Sequence, residues 1–423
     1  MKLPIIGFVG MSHLGLNYAV ATACKKFKVI CYDEDISKIN LLKKKVSPIF
    51  EKNLEKNIKL NFSNLKFTNN ILELKQCDNV YISEDVKTKI SGESDLITTK
   101  KLIDKTIKYL NKNSNLIVLC QVPPGFCRSI NWNKNQLFYQ VETLIFGQAL
   151  ERALYPERLI IGIENKKNKI KKSYLNLLKT FNCPLIIMNY ESAELAKISI
   201  NMYLISTVTT TNVISEICEK IDANWKDISI ALKLDKRIGK YSYLEPGLGI
   251  SGGNLERDLY TFHRLQDKNN LNNKFILELK KKSIDRKLWI LNIIRELKKK
   301  YKLKSIAILG LAYKVGTHSI KNSPGVQLIK RLKDHKIKAF DPIVKKIDII
   351  KNLKICKNSR ETIKGCDILI ITTPWKDFKK INSIFLKKNI KNKIIIDPYN
   401  LLDKDVLLKN GINHISMGVK NDV

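Results

Sequence analysis

At 423 residues the chain is too long for one ordinary hydrophobic core, so two or three domains are expected. Its 44% hydrophobic content suits a globular protein, and no apolar run approaches the roughly 18 residues of a membrane span. The net charge of +36 comes from dispersed, lysine-dominated runs without interleaved aromatics, which disfavours a nucleic-acid partner but still attracts small polyanions such as nucleotides.

Ile5 to Val9 is a short apolar run before glycines, Ala19 to Lys26 has a helical pattern, and Lys28 to Tyr32 (KVICY) is a second strand ending at Asp33. Strand, glycine turn, helix, strand and acid is the order of a βαβ unit. Further buried strands are expected at Asn79 to Ser83, Leu116 to Gln121, Arg158 to Gly162 and Pro184 to Asn189, alternating with helices. This predicts a doubly wound parallel sheet. From Ser192, a plausible N-cap, one long helix runs to about Ile221, and its Ile198 to Cys218 portion reads as buried. A second long helix is predicted from about Lys274 to Lys300. A helical section of this length is expected to pack against a second copy of itself. The first pattern returns after Lys304: SIAILG, IKAFDP, CDILIITTPW and NKIIIDPYN read as strands, with Ser323 as N-cap and Pro324 at the first helical position. The fold class is therefore α/β, two Rossmann-like doubly wound domains joined by a central helical domain. The expected boundaries are 1–190, 191–300 and 301–423.

Nine cysteines show neither CxxC pairing nor histidines at metal spacing, so reduced thiols and no metal site are expected. MKLPIIGFVG leaves no space for a signal peptide before its glycines, and the expected location is the cytoplasm. Gly10, Ser12 and Gly15 fit the dinucleotide fingerprint GxGxxG with serine at the second glycine. Asp33, 18 residues beyond Gly15, would accept hydrogen bonds from ribose hydroxyls and repel a 2′-phosphate, which predicts NAD rather than NADP. His13 is expected only to begin the helix.

Several stretches carry a wider resemblance. QVPPGF (121–126) resembles T-V-P-x-G-T, VETLIFG (141–147) resembles P-E-F-L-x-E-G, and YPERLIIG (155–162) resembles N-P-D-R-I-V-I-G. SAELAKISIN (192–201) matches S-A-E-L-x-K-x-x-x-N. LDKRIG (234–239) matches x-D-x-R-I-G, and ILGLAYKVGTHSIKNSP (308–324) resembles I-L-G-x-A-F-K-x-x-T-x-D-x-R-x-S-P. In this order they resemble the UDP-glucose/GDP-mannose dehydrogenase family across nearly the whole chain. The resemblance implies an NAD domain, a central dimerisation domain and a nucleotide-sugar domain. It also implies oxidation of the C6 alcohol of a nucleotide sugar, through an aldehyde and a cysteine thioester.

By the same resemblance, Lys197, Asn201, Asp258 and Glu142 are candidate catalytic residues. Lys38 joins Gly10, Ser12, Gly15 and Asp33 at the cofactor. Arg237, Gly249, Gly252 and Lys314 would bind substrate, and Arg237 would reach the substrate of a partner subunit. The glycine-rich ribbon GLGISGGNLERD (247–258) resembles the catalytic loop G-x-G-x-G-G-S-C-F-x-K-D, and it reads as mobile. Here the chain departs from the family: the cysteine position is Asn254 and the preceding serine is Gly253. An amide has no thiolate form and is no nucleophile at neutral pH. Further departures are Phe146 for the second glutamate of P-E-F-L-x-E-G, Gln121 for the threonine of T-V-P, Ser319 for an aspartate, and Tyr399 within D-P-Y-N. Lys321 replaces an arginine and is placed with the cofactor residues. The expected function is NAD-dependent oxidation of a UDP-glucose-like sugar at C6 without a thioester. The alternatives are a four-electron dehydrogenase working through a non-covalent hydrate, and a non-catalytic nucleotide-sugar-binding protein. The expected partners are the nucleotide sugar and a second copy of the chain.

Overall fold

The computed structural model describes residues 3–89, 92–347 and 350–421, and the chain divides into two compact units, Met1–Ile200 and Asn201–Val423. In the first unit, β1 (Ile6–Val9), β2 (Val29–Tyr32), β3 (Leu65–Thr68), β4 (Asn79–Ile82), β5 (Asn115–Val118), β6 (Leu137–Gln140), β7 (Leu159–Ile163) and β8 (Leu185–Asn189) form one sheet. Its order is β3-β2-β1-β4-β5-β6-β7-β8, and every pair is parallel except β6 with β7. β1, β2 and β4 are buried along their whole length, which explains why they read as continuous apolar runs rather than alternating ones. The chain order reverses between β1 and β4, and this switch point opens the crevice where doubly wound sheets hold ligands. Helix α1 (His13–Cys24) leaves β1, and α2 (Ile36–Lys43) leaves β2. The Asp35 carboxylate caps α2 by accepting from the Ser37 and Lys38 N–H groups.

The second unit repeats this order. β9 (Ser305–Leu309), β10 (Lys336–Phe340), β11 (Leu353–Ile355), β12 (Ile368–Ile371), β13 (Ile394–Ile396) and β14 (Asn413–Ile415) form an all-parallel sheet ordered β11-β10-β9-β12-β13-β14. Ile306, Ile308, Ile368, Ile370, Ile395 and Ile396 fill its core. Before it come helices Trp225–Leu234, Asn254–Lys268, Lys274–Lys287 and Trp289–Lys300. Ser323 caps the helix that Pro324 begins, as the sequence predicts. Among the described residues, no helix is long and apolar enough to cross a membrane.

Four details differ from expectation. β8 is an edge strand, so Ile186 and Ile187 are exposed rather than buried. The connecting helix begins at Tyr190, directly after β8, which places Ser192 inside it rather than at its cap. That helix is not buried throughout: Tyr203 and Ile217 are exposed. The helix predicted from Lys274 to Lys300 is two, separated at Leu288. Arg286 and Trp289 flank the break, and both bond to Glu219, the residue directly after the connecting helix, which ends at Cys218.

Candidate functional site

The turn after β1 shows why its glycines are there. Gly10 has φ +94°, and a Cβ on it would lie 2.9 Å from the Glu84 Cα, so no other residue fits without strain. Gly15 sits on α1 where a side chain would strike the Gly10 carbonyl oxygen. Ser12 is in extended backbone, and its hydroxyl turns away from the turn. That hydroxyl donates to the Ser83 carbonyl at 3.1 Å and accepts from the Asp85 N–H at 3.0 Å. Asp33 is buried beneath the turn. Its Oδ2 accepts from the Met11 N–H at 2.7 Å and pairs with Lys38 Nζ at 2.7 Å, and its Oδ1 accepts from the Asp35 N–H at 2.9 Å. A cleft of about 390 Å³ opens over these groups, between Gly10, Asp33, Glu84 and Lys105.

His13 does more than begin α1. Its Nε2 lies 2.9 Å from Glu51 Oε2, and its ring centroid lies 4.2 Å from that of Phe146. Glu51 also accepts from the Gly147 N–H at 3.0 Å. Burial opposes ionisation of Glu51, but the His13 and Gly147 hydrogen bonds outweigh it and hold its carboxyl below the usual range. Phe146 thus packs on an imidazole and offers no carboxylate here.

In the first unit, Lys197 Nζ pairs with Glu142 Oε1 at 2.6 Å, with both side chains largely buried. Glu142 Oε2 accepts from the Leu144 N–H at 2.9 Å. One turn before Lys197, the fully buried Glu194 accepts from the N–H groups of Gly125 at 2.6 Å and Cys127 at 2.8 Å. It thereby ties the Pro123–Gly125 turn to the connecting helix. Burial pushes the Glu194 carboxyl upward, against those two hydrogen bonds. No local pattern in the sequence marks this role of Glu194, because its partners lie 69 and 67 residues away.

Four residues beyond Lys197 the same helix carries Asn201, which belongs to the second unit and whose Nδ2 donates to Asp258 Oδ2. Asp258 is fully buried, and Arg257 Nε lies 3.9 Å from its Oδ1. Asp258 lies in the helix that Asn254 starts, so Asn254 occupies the first helical position and is exposed.

The ribbon before Asn254 is held rather than loose. The Gly247 N–H donates to Asn212 Oδ1 at 2.9 Å, the Ile250 N–H donates to Ser283 Oγ at 2.7 Å, and the Gly252 N–H donates to the Lys321 carbonyl at 3.1 Å. Gly249 lies against the Ser283 carbonyl, and Gly252, at φ +80°, lies against the Tyr313 ring. Asn322 Nδ2 bonds to the Gly252 carbonyl and to Glu256, which also pairs with Lys287 at 3.3 Å. These anchors correct the expectation of a mobile ribbon: glycine serves close packing here.

Lys321 lays its aliphatic stem and Nζ over Gly253. Lys314 is partly exposed, with Nζ 5.8 Å from the Tyr313 ring centroid. Arg237 is exposed and forks onto Asp235, at 3.0 Å through Nε and 2.6 Å through a terminal nitrogen. In the second sheet, Asp341 stands where Asp33 stands in the first. It is more heavily used, accepting from Leu311 N–H, Ala312 N–H, Trp375 Nε1, Ile343 N–H and Val344 N–H.

Comparison with known proteins gives three consecutive family matches. Residues 4–182 match the NAD binding domain, 191–282 the central domain and 307–404 the UDP binding domain of the UDP-glucose/GDP-mannose dehydrogenase family. The chain is 33% identical over 431 residues to a UDP-glucose 6-dehydrogenase of Rickettsia prowazekii (strain Madrid E), covering 98% of this chain and 99% of that protein. Its fold is similar to that of a UDP-glucose dehydrogenase from Pyrobaculum islandicum, with TM-score 0.86, 20% identity and coverage of 100% and 98%. It is also similar to that of a UDP-D-ManNAc dehydrogenase from Pyrococcus horikoshii, with TM-score 0.84, 20% identity and coverage of 98% and 99%.

Proposed function

The chain belongs to the UDP-glucose/GDP-mannose dehydrogenase family and uses NAD, and from that premise we propose that it oxidises the C6 alcohol of a UDP-sugar without a covalent thioester. NAD supplies the hydride acceptor. The alcohol must also lose its O–H proton, and negative charge builds on that oxygen as hydride leaves. The observation that carries the reading is the buried Lys197–Glu142 pair, one helical turn before an asparagine bonded to a buried aspartate. Lys197 brings a cation for the developing oxyanion, Glu142 orients it, and Asn201, fixed by Asp258, offers a neutral amide.

Asn254 sets the limit of the reaction. The stretch 247–258 contains no cysteine, so no sulfur of this loop traps an aldehyde. The hydride passes to NAD and the O–H proton is released to solvent water, giving the aldehyde, one NADH and one H⁺. A second oxidation proceeds only if water adds to the aldehyde and the hydrate then loses hydride and proton to give the acid. Asn254, with an amide that both donates and accepts, suits holding such a hydrate.

Incubation with NAD and a panel of UDP- and GDP-sugars, followed by mass spectrometry of the products, tests this. An aldehyde with one NADH per sugar supports the first step alone, and an acid with two supports the hydrate route. No NADH from any sugar, with NAD bound, would favour a nucleotide-sugar-binding protein that has lost catalysis. A reducing compartment such as the cytoplasm suits nine unpaired cysteines.

A further inference from the structure

The nucleotide turn of the first unit fits NAD at the ribose end and opposes it at the phosphate end. Asp33 is placed for ribose hydroxyls, and the Gly10 turn leads into the N-terminus of α1, where a dinucleotide's pyrophosphate receives N–H bonds. Two carboxylates already stand at that place. Asp85, exposed at the end of β4, has Oδ2 3.3 Å from the Leu14 N–H, in the first turn of α1. Glu84 crosses directly over the turn, with Oε2 2.5 Å from the point where a Gly10 Cβ would be. The Ser12 hydroxyl fastens this acidic segment by bonding to the Asp85 N–H and the Ser83 carbonyl. Glu84 and Asp85 both line the crevice at the switch point.

We propose that Glu84 and Asp85 act as internal competitors of the cofactor's pyrophosphate, and that Glu84 takes up a proton when NAD binds. This rests on the family's NAD site and adds to it a role for two acids of this chain. Asp85 occupies an N–H group that a phosphate oxygen would use. Glu84 leaves its carboxylate beside the incoming anion, where like charges repel strongly in a partly buried cleft.

The charged groups facing Glu84 are Lys38 of α2, Asp33 at the end of β2, and Asp85 and Lys87 of its own segment. Across the cleft, helix Leu96–Ile107 presents Lys101 and Lys105, and Lys105 is held by Glu34 at 2.5 Å. Burial pushes the Glu84 carboxyl up to about 7, opposed by Lys38 and Lys87 and reinforced by Asp33 and Asp85. An adjacent pyrophosphate moves it higher still. Linkage then gives the sign: the bound state holds the proton more tightly than the free state. NAD affinity is flat below pH 7, falls as pH rises through the interval between the free and bound values, and levels off above it.

Isothermal titration of NAD into the full chain between pH 6 and pH 9, in two buffers of different ionisation heat, reads both affinity and proton uptake (the pH limits are about one unit below and two above the Glu84 value). The expected result is net proton uptake near neutral pH and an affinity that drops on the order of tenfold toward alkaline pH. Glu84→Gln should flatten the profile and remove the uptake. Asp85→Asn should tighten NAD on the order of threefold while keeping the uptake. A wild-type profile that is flat and shows no proton uptake overturns the proposal, and so does a Glu84→Gln profile unchanged from wild type. If Glu84→Gln does not fold, as judged by thermal melting, the wild-type proton count decides alone. A folded wild-type chain that binds no NAD at any pH overturns the cofactor assignment itself, which a flat profile with measurable binding does not.

Discussion

Lys197 is the residue whose environment is most specific. An ammonium inside a protein needs a partner, and Glu142 at 2.6 Å supplies it. Replacing Lys197 by Met should lower kcat by about 10²–10³-fold, the range for a lost oxyanion-stabilising group, while the NAD Kd measured by titration stays within about twofold. Asn254→Cys is the complementary change. Residue 254 opens a helix, and a helix N-terminus lowers a thiol's pKa toward the reactive thiolate. That variant should shift the product from aldehyde to acid and the yield from one NADH per sugar to two, as read by mass spectrometry and absorbance. Lys197, Asn201 and Asp258 were legible because each sits in a run of fixed spacing. Glu84, Asp85, Glu51 and Glu194 were not, because their roles arise only when distant strands and turns are brought beside α1 or the connecting helix.

Among elements, the glycine ribbon and the helix that follows Gly253 form a packed unit. Gly252 combines φ +80° with a Tyr313 ring atom 2.7 Å from a would-be Cβ. Gly252→Ala should therefore cost on the order of 1–3 kcal/mol and displace Asn254, seen as lower denaturant resistance with NAD affinity retained. Arg286 is the second anchor. It is almost wholly buried and bonds to Ser215 and Glu216 of the connecting helix and to Glu219 just beyond its end, while Glu219 also accepts from the Gly418 N–H. Arg286→Ala leaves two acids without their cation and should remove about 3–5 kcal/mol of unfolding free energy in urea titration. Strands made of apolar residues alone, such as β12 and β13, could be read directly. β3, β6, β11 and β14 could not, since segments of three or four residues containing Lys, Gln, Asn or His carry too little periodicity. The exposure of β8 follows from its place at the sheet edge, which residue type does not encode.

For the whole molecule, the two sheets share one strand order, and each places an acid after its second strand to grip the turn after its first. Their surroundings differ: Asp33 is partnered by a lysine beside an open cleft, whereas five donors surround Asp341. In the second unit, Tyr203, Ile217, Ile221 and Leu234 are exposed on or near the central helices. Unpartnered apolar side chains on helices favour a homodimer built there. Sedimentation should give twice the chain mass, and Tyr203→Asp with Leu234→Asp should give the single-chain mass with the fold retained.

The central claim is oxidation without sulfur, and the direct test is the count of NADH released per UDP-sugar consumed by the wild-type chain after its cysteines are alkylated under native conditions. The account predicts that turnover and stoichiometry survive alkylation unchanged. Loss of acid formation on alkylation, restored when the thiols are unblocked, would show that a cysteine performs the covalent step and would contradict it.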